Sequence, residues 1–222
     1  MNMSFYRALF QKELPNKTVQ CLLCPRSCVI KKDERGFCYG RLNLDGKLVL
    51  ESYGKASGFA VDPIEKKPLY HFHPATMVLS FGTIGCNLSC RFCQNWNISR
   101  SQTLDNLHVE AQPELIARKA SELRVPSVAF TYNEPIVFAE YAIETAAACR
   151  EAKVKTVAVT NGYISEVARQ DFFHYIDATN VDLKAFSQDF YRRMCGGNLE
   201  PVLETLIYLK HKTNIWLEIT TL

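Results

Sequence analysis

The stretch MVLSFGTIGCNLSCRFC, residues 77–93, decides the fold. Met77–Thr83 is an apolar run of strand length, bounded by glycine and a polar loop. The loop holds Gly85-Cys86-Asn87-Leu88-Ser89-Cys90-Arg91-Phe92-Cys93, a C-x3-C-x2-C run. Onward from it the chain alternates. Gln112–Arg124 has helical period with Pro113 at its start, Ser127–Tyr132 is a strand, and Ile136–Ala152 is a long Ala- and Glu-rich helix after Pro135. Lys155–Thr160 is a strand, Ser165–Tyr175 a helix with Ser165 as N-cap, and Ala178–Leu183 a strand. Glu200–His211 is a helix and Ile215–Thr221 a fifth strand. Strands alternating with helices at this spacing make a parallel α/β sheet, and their nearly continuous apolar runs mean both faces are covered. The alternation stops at strand five with no covering helix, so the core is expected to be cut there, or its edge covered by a partner.

Upstream the character changes. Residues 4–13 are expected to form a short amphipathic helix closed by Pro15. Residues 1–60 form a Cys-rich segment, with a hairpin of Leu42–Leu44 and Lys47–Ser52 turned by Asp45-Gly46. Residues 61–75, with three prolines, are an ordered connector, and 76–222 are the α/β core.

Composition bounds the function. At 222 residues, with 47% hydrophobic and 22% charged residues, the chain can bury a full core and is neither disordered nor repetitive. A net charge of +3 is too mild to argue for nucleic acid or an anionic membrane as partner. Residues 1–20 carry Arg7, Lys12, Glu13 and Lys17 and lack the apolar core of a secretory signal. Nine clustered cysteines, an odd number, suit a reducing, cytoplasmic compartment where thiols bind metals or do chemistry.

Three thiolates in one loop can take three corners of an iron–sulfur cubane and leave one iron open, where a substrate can bind. Gly82 and Gly85 would let the backbone curl round it. Zinc would want a fourth ligand, and no His or Cys follows Cys93 within the next ten residues; three buried free cysteines are the bland alternative. In parallel α/β folds chemistry gathers at the carboxyl ends of the strands. Cys86, Cys90 and Cys93 lie after the first strand of the alternation, Glu134 after the second, Asn161 after the third, and Asp182 and Lys184 at the end of the fourth. Each also has a plain structural reading: a helix-start carboxylate for Glu134, a loop cap for Asp182, a surface lysine for Lys184.

Cys21, Cys24, Cys28 and Cys38 are spaced C-x2-C-x3-C-x9-C, enough thiolates for a closed site. Zinc would be tetrahedral and structural; an auxiliary iron–sulfur cluster could instead relay electrons, and free thiols are the third reading. Cys149 reads as a core residue, while Cys195 is either a buried thiol or a group in substrate or metal chemistry. His71 and His73 flank Phe72 as candidate ligands or proton donors, or as packing residues. Trp96 and Tyr132 read as packing residues or as aromatic contacts to a ligand.

The C-x3-C-x2-C run with Phe92 before its last cysteine resembles the signature of the radical S-adenosylmethionine (SAM) superfamily. Thr131-Tyr132-Asn133-Glu134-Pro135 is similar to that family's glycine-glycine-glutamate-proline segment, with Tyr132-Asn133 in place of the glycines. Thr160-Asn161-Gly162 and Asp182-Leu183-Lys184 resemble segments of glycyl-radical-enzyme activases such as the pyruvate formate-lyase activating enzyme. With Cys21-x2-Cys24-Pro25, the stretch Asp62–Phe72 and Cys93-Gln94-Asn95-Trp96, the chain looks like the radical SAM member of the AmmeMemoRadiSam group from about residue 20 onward.

The resemblance implies a partial six-stranded (βα)6-type barrel, five strands of which are present. It implies a [4Fe–4S] cluster on Cys86, Cys90 and Cys93, and SAM bound at the open iron. Glu134 would accept hydrogen bonds from the SAM amino group, Lys184 would neutralise its carboxylate, and Asn161 or Asp182 would contact carboxylate or ribose. A one-electron donor of flavodoxin or ferredoxin type would drive cleavage to methionine and a 5′-deoxyadenosyl radical, which takes hydrogen from a protein glycine or a small molecule. Val159 stands where the activases carry a carboxylate, so a cation site dependent on that group is not implied. The competing functions are a zinc-stabilised interaction module and a non-catalytic iron–sulfur scaffold.

Overall fold

The structure, a computed structural model, describes residues 6–103 and 109–221. Its centre is one six-stranded sheet: β1 (Gly58–Pro63), β2 (Met77–Gly82), β3 (Ser127–Phe130), β4 (Lys155–Thr160), β5 (Ala178–Leu183) and β6 (Trp216–Thr221), neighbours in chain order. β2 to β6 are parallel, as the alternation requires, and β1 pairs antiparallel with β2 from Gly58 opposite Gly82 to Pro63 opposite Met77. The sheet is open, with β1 and β6 at its edges. The sixth strand therefore precedes the parallel five and runs against them, which the sequence reading did not foresee. On β6 the side chains of Trp216 and Ile219 are about half exposed, the apolar edge expected there.

Four helices of the alternation follow: α1 (Pro113–Glu122), α2 (Ala139–Glu151, entered through a 3-10 turn at Pro135–Phe138), α3 (Glu166–Phe173) and α4 (Glu200–Lys212). Their inward residues, among them Ile116, Ala120, Ala142, Ala146, Cys149, Phe172, Val202 and Leu209, join Leu79, Phe81, Val128, Phe130, Ala158 and Val181 in the main core. Phe81 packs edge-on to Phe130 at 5.5 Å and lies 5.7 Å from Tyr141 of α2. Each such buried ring contributes about 1.5–3 kcal/mol of transfer free energy. Cys149 is a core residue, fully buried on α2. Ser165 occupies the N-cap position of α3, but its hydroxyl donates to the Leu22 carbonyl instead of capping the helix.

The opposite face of the sheet is covered by the connector. Strand alternation turns Val78, Ala129, Val157 and Ala178 to that side, where Ile64 and Leu69 close over them. Glu218 on β6 accepts the backbone N–H groups of Tyr70 and His71 at 2.8 and 3.0 Å, and Asn180 donates to the Pro68 carbonyl. The 61–75 connector is thus corrected at its start. Val61–Pro63 belong to β1 and Ile64–Lys66 form a 3-10 turn, so a boundary at residue 60 would fall inside a strand.

The expected helix over 4–13 is a second correction; Ser4 and Phe5 lie outside the described residues. Tyr6–Arg7 pair with Val49–Leu50, and Gln11–Leu14 form a hairpin with Thr18–Cys21. Ala8 and Phe10 are buried while Leu9 is exposed, a period of two. Strand partners supplied by the Cys-rich segment outweigh the weak local helical preference. The Arg41–Leu44 and Lys47–Leu50 hairpin forms around Asp45-Gly46 as expected. Among the described residues, no helix is long and apolar enough to cross a membrane.

Candidate active site

The loop after β2 passes through Gly85 at φ +93°, a backbone conformation that suits glycine. A Cβ there would stand 2.3 Å from the Cys38 carbonyl oxygen, so the loop can approach the Cys-rich segment this closely only at a glycine. Gly82 serves differently: its backbone is ordinary, but a Cβ would lie 2.4 Å from the Thr131 carbonyl. It permits close strand approach rather than a curl.

From Thr83 onward the loop is pinned by four sets of contacts. Asn133 accepts from the Thr83 N–H at 2.7 Å and donates to the Gly85 carbonyl at 3.0 Å. Asn87 donates to the Tyr163 carbonyl and accepts from Asn161, whose amide also lies 3.7 Å from the Cys86 sulfur. Arg26 donates to the Asn87 carbonyl from the Cys-rich segment, its guanidinium 3.4 Å from the Phe37 ring centroid. Finally, the N–H groups of Ser89 and Arg91 donate to the carbonyls of Cys195 and Met194, a two-rung ladder that straddles Cys90. Sequence reading missed Arg26, Asn87 and Asn133 because polar loop residues carry no periodic signal; a buried asparagine betrays itself only by its partners.

These contacts place Cys86, Cys90 and Cys93 around a cavity of about 340 Å³ whose walls include Glu134, Asn161, Asp182 and Lys184. All seven residues singled out at strand ends thus share one cavity, with Tyr132 and Val159 beside them. Lys184 and Asp182 form an ion pair at 2.6 Å. Burial alone would lower the Lys184 ammonium, but Asp182 outweighs it and holds it above its ordinary value. Glu134 caps the 3-10 turn through the Ile136 N–H at 3.1 Å and accepts from Thr160 Oγ1 at 2.6 Å and the Asn161 N–H at 2.8 Å. Burial nevertheless pushes it up to about 7, against those three donors. Its carboxylate is therefore already engaged by the protein, in keeping with the structural reading of it as a helix-start group.

Burial pushes the Cys86 thiol up, and the Glu134 charge adds to this. Cys90 hydrogen-bonds Cys195, which holds the Cys90 proton on and lowers Cys195. Among the described residues, no three His, Cys, Asp or Glu side chains already stand where they could hold one metal ion. Three thiols from one flexible-spaced loop on one cavity are still a donor set that suits an iron–sulfur cluster with an open vertex, and the carboxylates, amide and ammonium opposite suit an amino-acid-like ligand.

Other candidates lie elsewhere. His71 is exposed beside Glu218 at 3.6 Å, and His73 packs edge-on against Phe72, both on the connector and outside the cavity wall. Trp96 is 69% exposed, so the packing role expected for it is corrected. Tyr132 lines the cavity, with φ +70°, its hydroxyl toward Asp62 and the Lys67 ammonium 5.2 Å from its ring.

A parallel α/β sheet with a cysteine triplet at its carboxyl edge defines a class of iron–sulfur proteins that work on a small bound ligand. A family model for the radical SAM superfamily matches residues 81–222. The chain belongs to the radical SAM superfamily, whose members use a [4Fe–4S] cluster and SAM. It is 43% identical over 215 residues to "Uncharacterized protein MJ0808" of Methanocaldococcus jannaschii, covering 97% of this chain and 63% of that one. It is 29% identical over 169 residues to a "Probable GTP 3',8-cyclase" of Methanosarcina acetivorans, covering 73% of this chain and 48% of the relative. The chain thus spans about half to two thirds of the length of these relatives. Among solved structures, SuiB of Streptococcus suis bound to S-adenosylmethionine aligns over 64% of this chain and 30% of its own, at TM-score 0.44 and 20% identity. TYW1 with a lysine-pyruvate adduct bound aligns over 65% and 54%, at TM-score 0.44 and 22% identity.

Proposed function

We propose that the chain is a SAM-cleaving radical enzyme in which Cys86, Cys90 and Cys93 hold a [4Fe–4S] cluster. Glu134, Asn161, Asp182 and Lys184 position SAM in the same cavity. The observation that carries this reading is the meeting of those seven residues, from four strand ends, on one cavity of about 340 Å³. When bound, the cluster supplies the single electron that splits SAM to methionine and a 5′-deoxyadenosyl radical. The protein's part is orientation and shelter. Lys184, held charged by Asp182, faces the ligand carboxylate. The carboxylate of Glu134, fixed by Thr160 and Asn161, faces its ammonium. Asn87 and Asn161 lock the backbone that carries Cys86. Superfamily membership favours this over a zinc-stabilised interaction module or an inert iron–sulfur scaffold.

In this reading the electron donor is a flavodoxin- or ferredoxin-type protein and the setting is the cytoplasm, which nine free cysteines favour. The substrate is a glycine in a partner protein, following the activase-like segments; similarity to the probable GTP 3',8-cyclase supports a small molecule as the second reading. Anaerobically reconstituted protein with a one-electron reductant should turn SAM into methionine and 5′-deoxyadenosine, and SAM should perturb the EPR signal of the reduced cluster. Cys90→Ala should abolish both. Persistent 5′-deoxyadenosine formation by that variant would overturn the assignment.

A further inference from the structure

We infer that Cys21, Cys24, Cys28 and Cys38 form a four-thiolate site for a single zinc ion, separate from the SAM cavity and independent of the enzymatic reading. Two tight turns present them. The first runs from Cys21 to Cys28, closed by the Cys21 N–H donating to the Cys28 carbonyl at 2.9 Å, with Ser27 donating back to Cys24 at its tip. The second runs from Gly36 to Arg41 around Cys38, closed by Gly36 N–H to Arg41 carbonyl and Tyr39 N–H to Gly36 carbonyl, both at 2.9 Å. The turns face each other, and all four cysteines line one enclosed cavity. The rest of its lining mixes the aliphatic Leu23, Ile30 and Val137 with Asn87, Arg26 and Arg41.

Size chooses the occupant. The cavity measures about 20 Å³, close to the space one water-sized sphere needs. As the thiols stand, that is room for one ion and too little for a cubane of four irons and four sulfides. Thiols alone ligate there, the preference of zinc in closed structural sites. Four thiolates around a divalent ion carry a net charge of about −2; Arg26 and Arg41 are among the residues that line the cavity, and Arg41 shares its charge with Glu140. Zinc binding would displace the thiol protons and gather the four sulfurs onto one ion. The segment is built of small two- and three-stranded sheets, an architecture in which a structural ion adds to stability.

The test is elemental analysis and zinc-edge X-ray absorption on the anaerobically purified full chain, grown with both iron and zinc. The expected result is about one zinc per chain with sulfur scatterers at about 2.3 Å. Cys28→Ser should lose the zinc and Cys149→Ser should keep it. If Cys28→Ser does not fold, titrating the native chain with p-hydroxymercuribenzoate decides: zinc release should track the modification of about four thiols. Absence of zinc, about eight irons per chain, or zinc retained by Cys28→Ser would overturn the proposal. SAM cleavage is scored separately: zinc without cleavage would sink the enzymatic reading alone, and cleavage without zinc this site alone.

Discussion

Arg41 and Glu140 form a fully buried pair, with Arg41 Nη1 and Nη2 donating to the two carboxylate oxygens of Glu140 at 3.1 and 2.5 Å. Arg41 comes from the Cys-rich segment and Glu140 from the first turn of α2, so the pair ties the segment to the sheet layer. Glu140 also accepts the Leu9 N–H at 2.9 Å, and Arg41 Nε donates to the Val137 carbonyl at 3.3 Å. Removing one partner leaves a buried charge uncompensated. Arg41→Ala should cost about 3–5 kcal/mol, and the Arg41→Met/Glu140→Leu double variant should cost less than either single change. Urea unfolding midpoints at constant slope measure both; additive losses in the double variant would refute the pairing as the cause.

Gly85→Ala meets two obstacles, a left-handed backbone and the Cys38 carbonyl at 2.3 Å. The backbone strain alone is worth about 1–3 kcal/mol, and relief of the contact would move the loop that carries Cys86. The variant should unfold earlier and take up less iron on reconstitution. Gly40→Ala, whose nearest neighbour would be an ordinary 3.7 Å away, should do neither.

Glu134 makes stability depend on pH in a defined direction. Its ordinary value is 4.5 and burial raises it to about 7, so between these the folded chain keeps a proton the unfolded chain has lost. Its contribution is therefore complete below pH 4.5 and declines as pH rises to about 7, by at most about 1.4 kcal/mol per pH unit. Denaturant titrations of the cluster-free protein across this window should show the decline, and Glu134→Gln should flatten it. An unchanged profile in that variant would place the pH dependence elsewhere.

Lys184, paired with Asp182 at 2.6 Å in the cavity wall, is the cation proposed to face the SAM carboxylate. A charge-assisted hydrogen bond is worth about 1.5–3 kcal/mol. Lys184→Met should therefore weaken SAM binding about ten- to hundredfold, with the visible spectrum of the reconstituted cluster unchanged. Equilibrium binding followed by EPR reads the affinity; wild-type affinity in the variant would remove Lys184 from the site.

Local information carried far in this chain. The strand runs Lys155–Thr160 and Ala178–Leu183 coincide with β4 and β5, and the Asp45-Gly46 turn closes its hairpin. The triplet Cys86, Cys90 and Cys93 was legible because its members lie within one loop, where spacing along the chain is nearly distance in space. The strand-end residues Glu134, Asn161, Asp182 and Lys184 were legible because parallel order sends every strand's carboxyl end to the same edge. The helical expectation for residues 4–13 failed over its described part for two reasons: Tyr6 and Arg7 pair some forty residues onward, and Gln11–Leu14 form a hairpin with Thr18–Cys21, partners that a local helical period does not weigh.

Sequence by itself determined the parallel alternation, the cysteine loop and the edge of the sheet where chemistry gathers, because all three follow from short-range periodicity and fixed chain direction. Tertiary structure alone decided that an antiparallel strand closes the sheet's first edge, that the connector covers its second face, that Cys195 rests against Cys90, and that Arg26, Asn87 and Asn133 hold the loop. Those contacts join residues far apart in the chain, and their geometry exists only once the sheet has set the order of its strands.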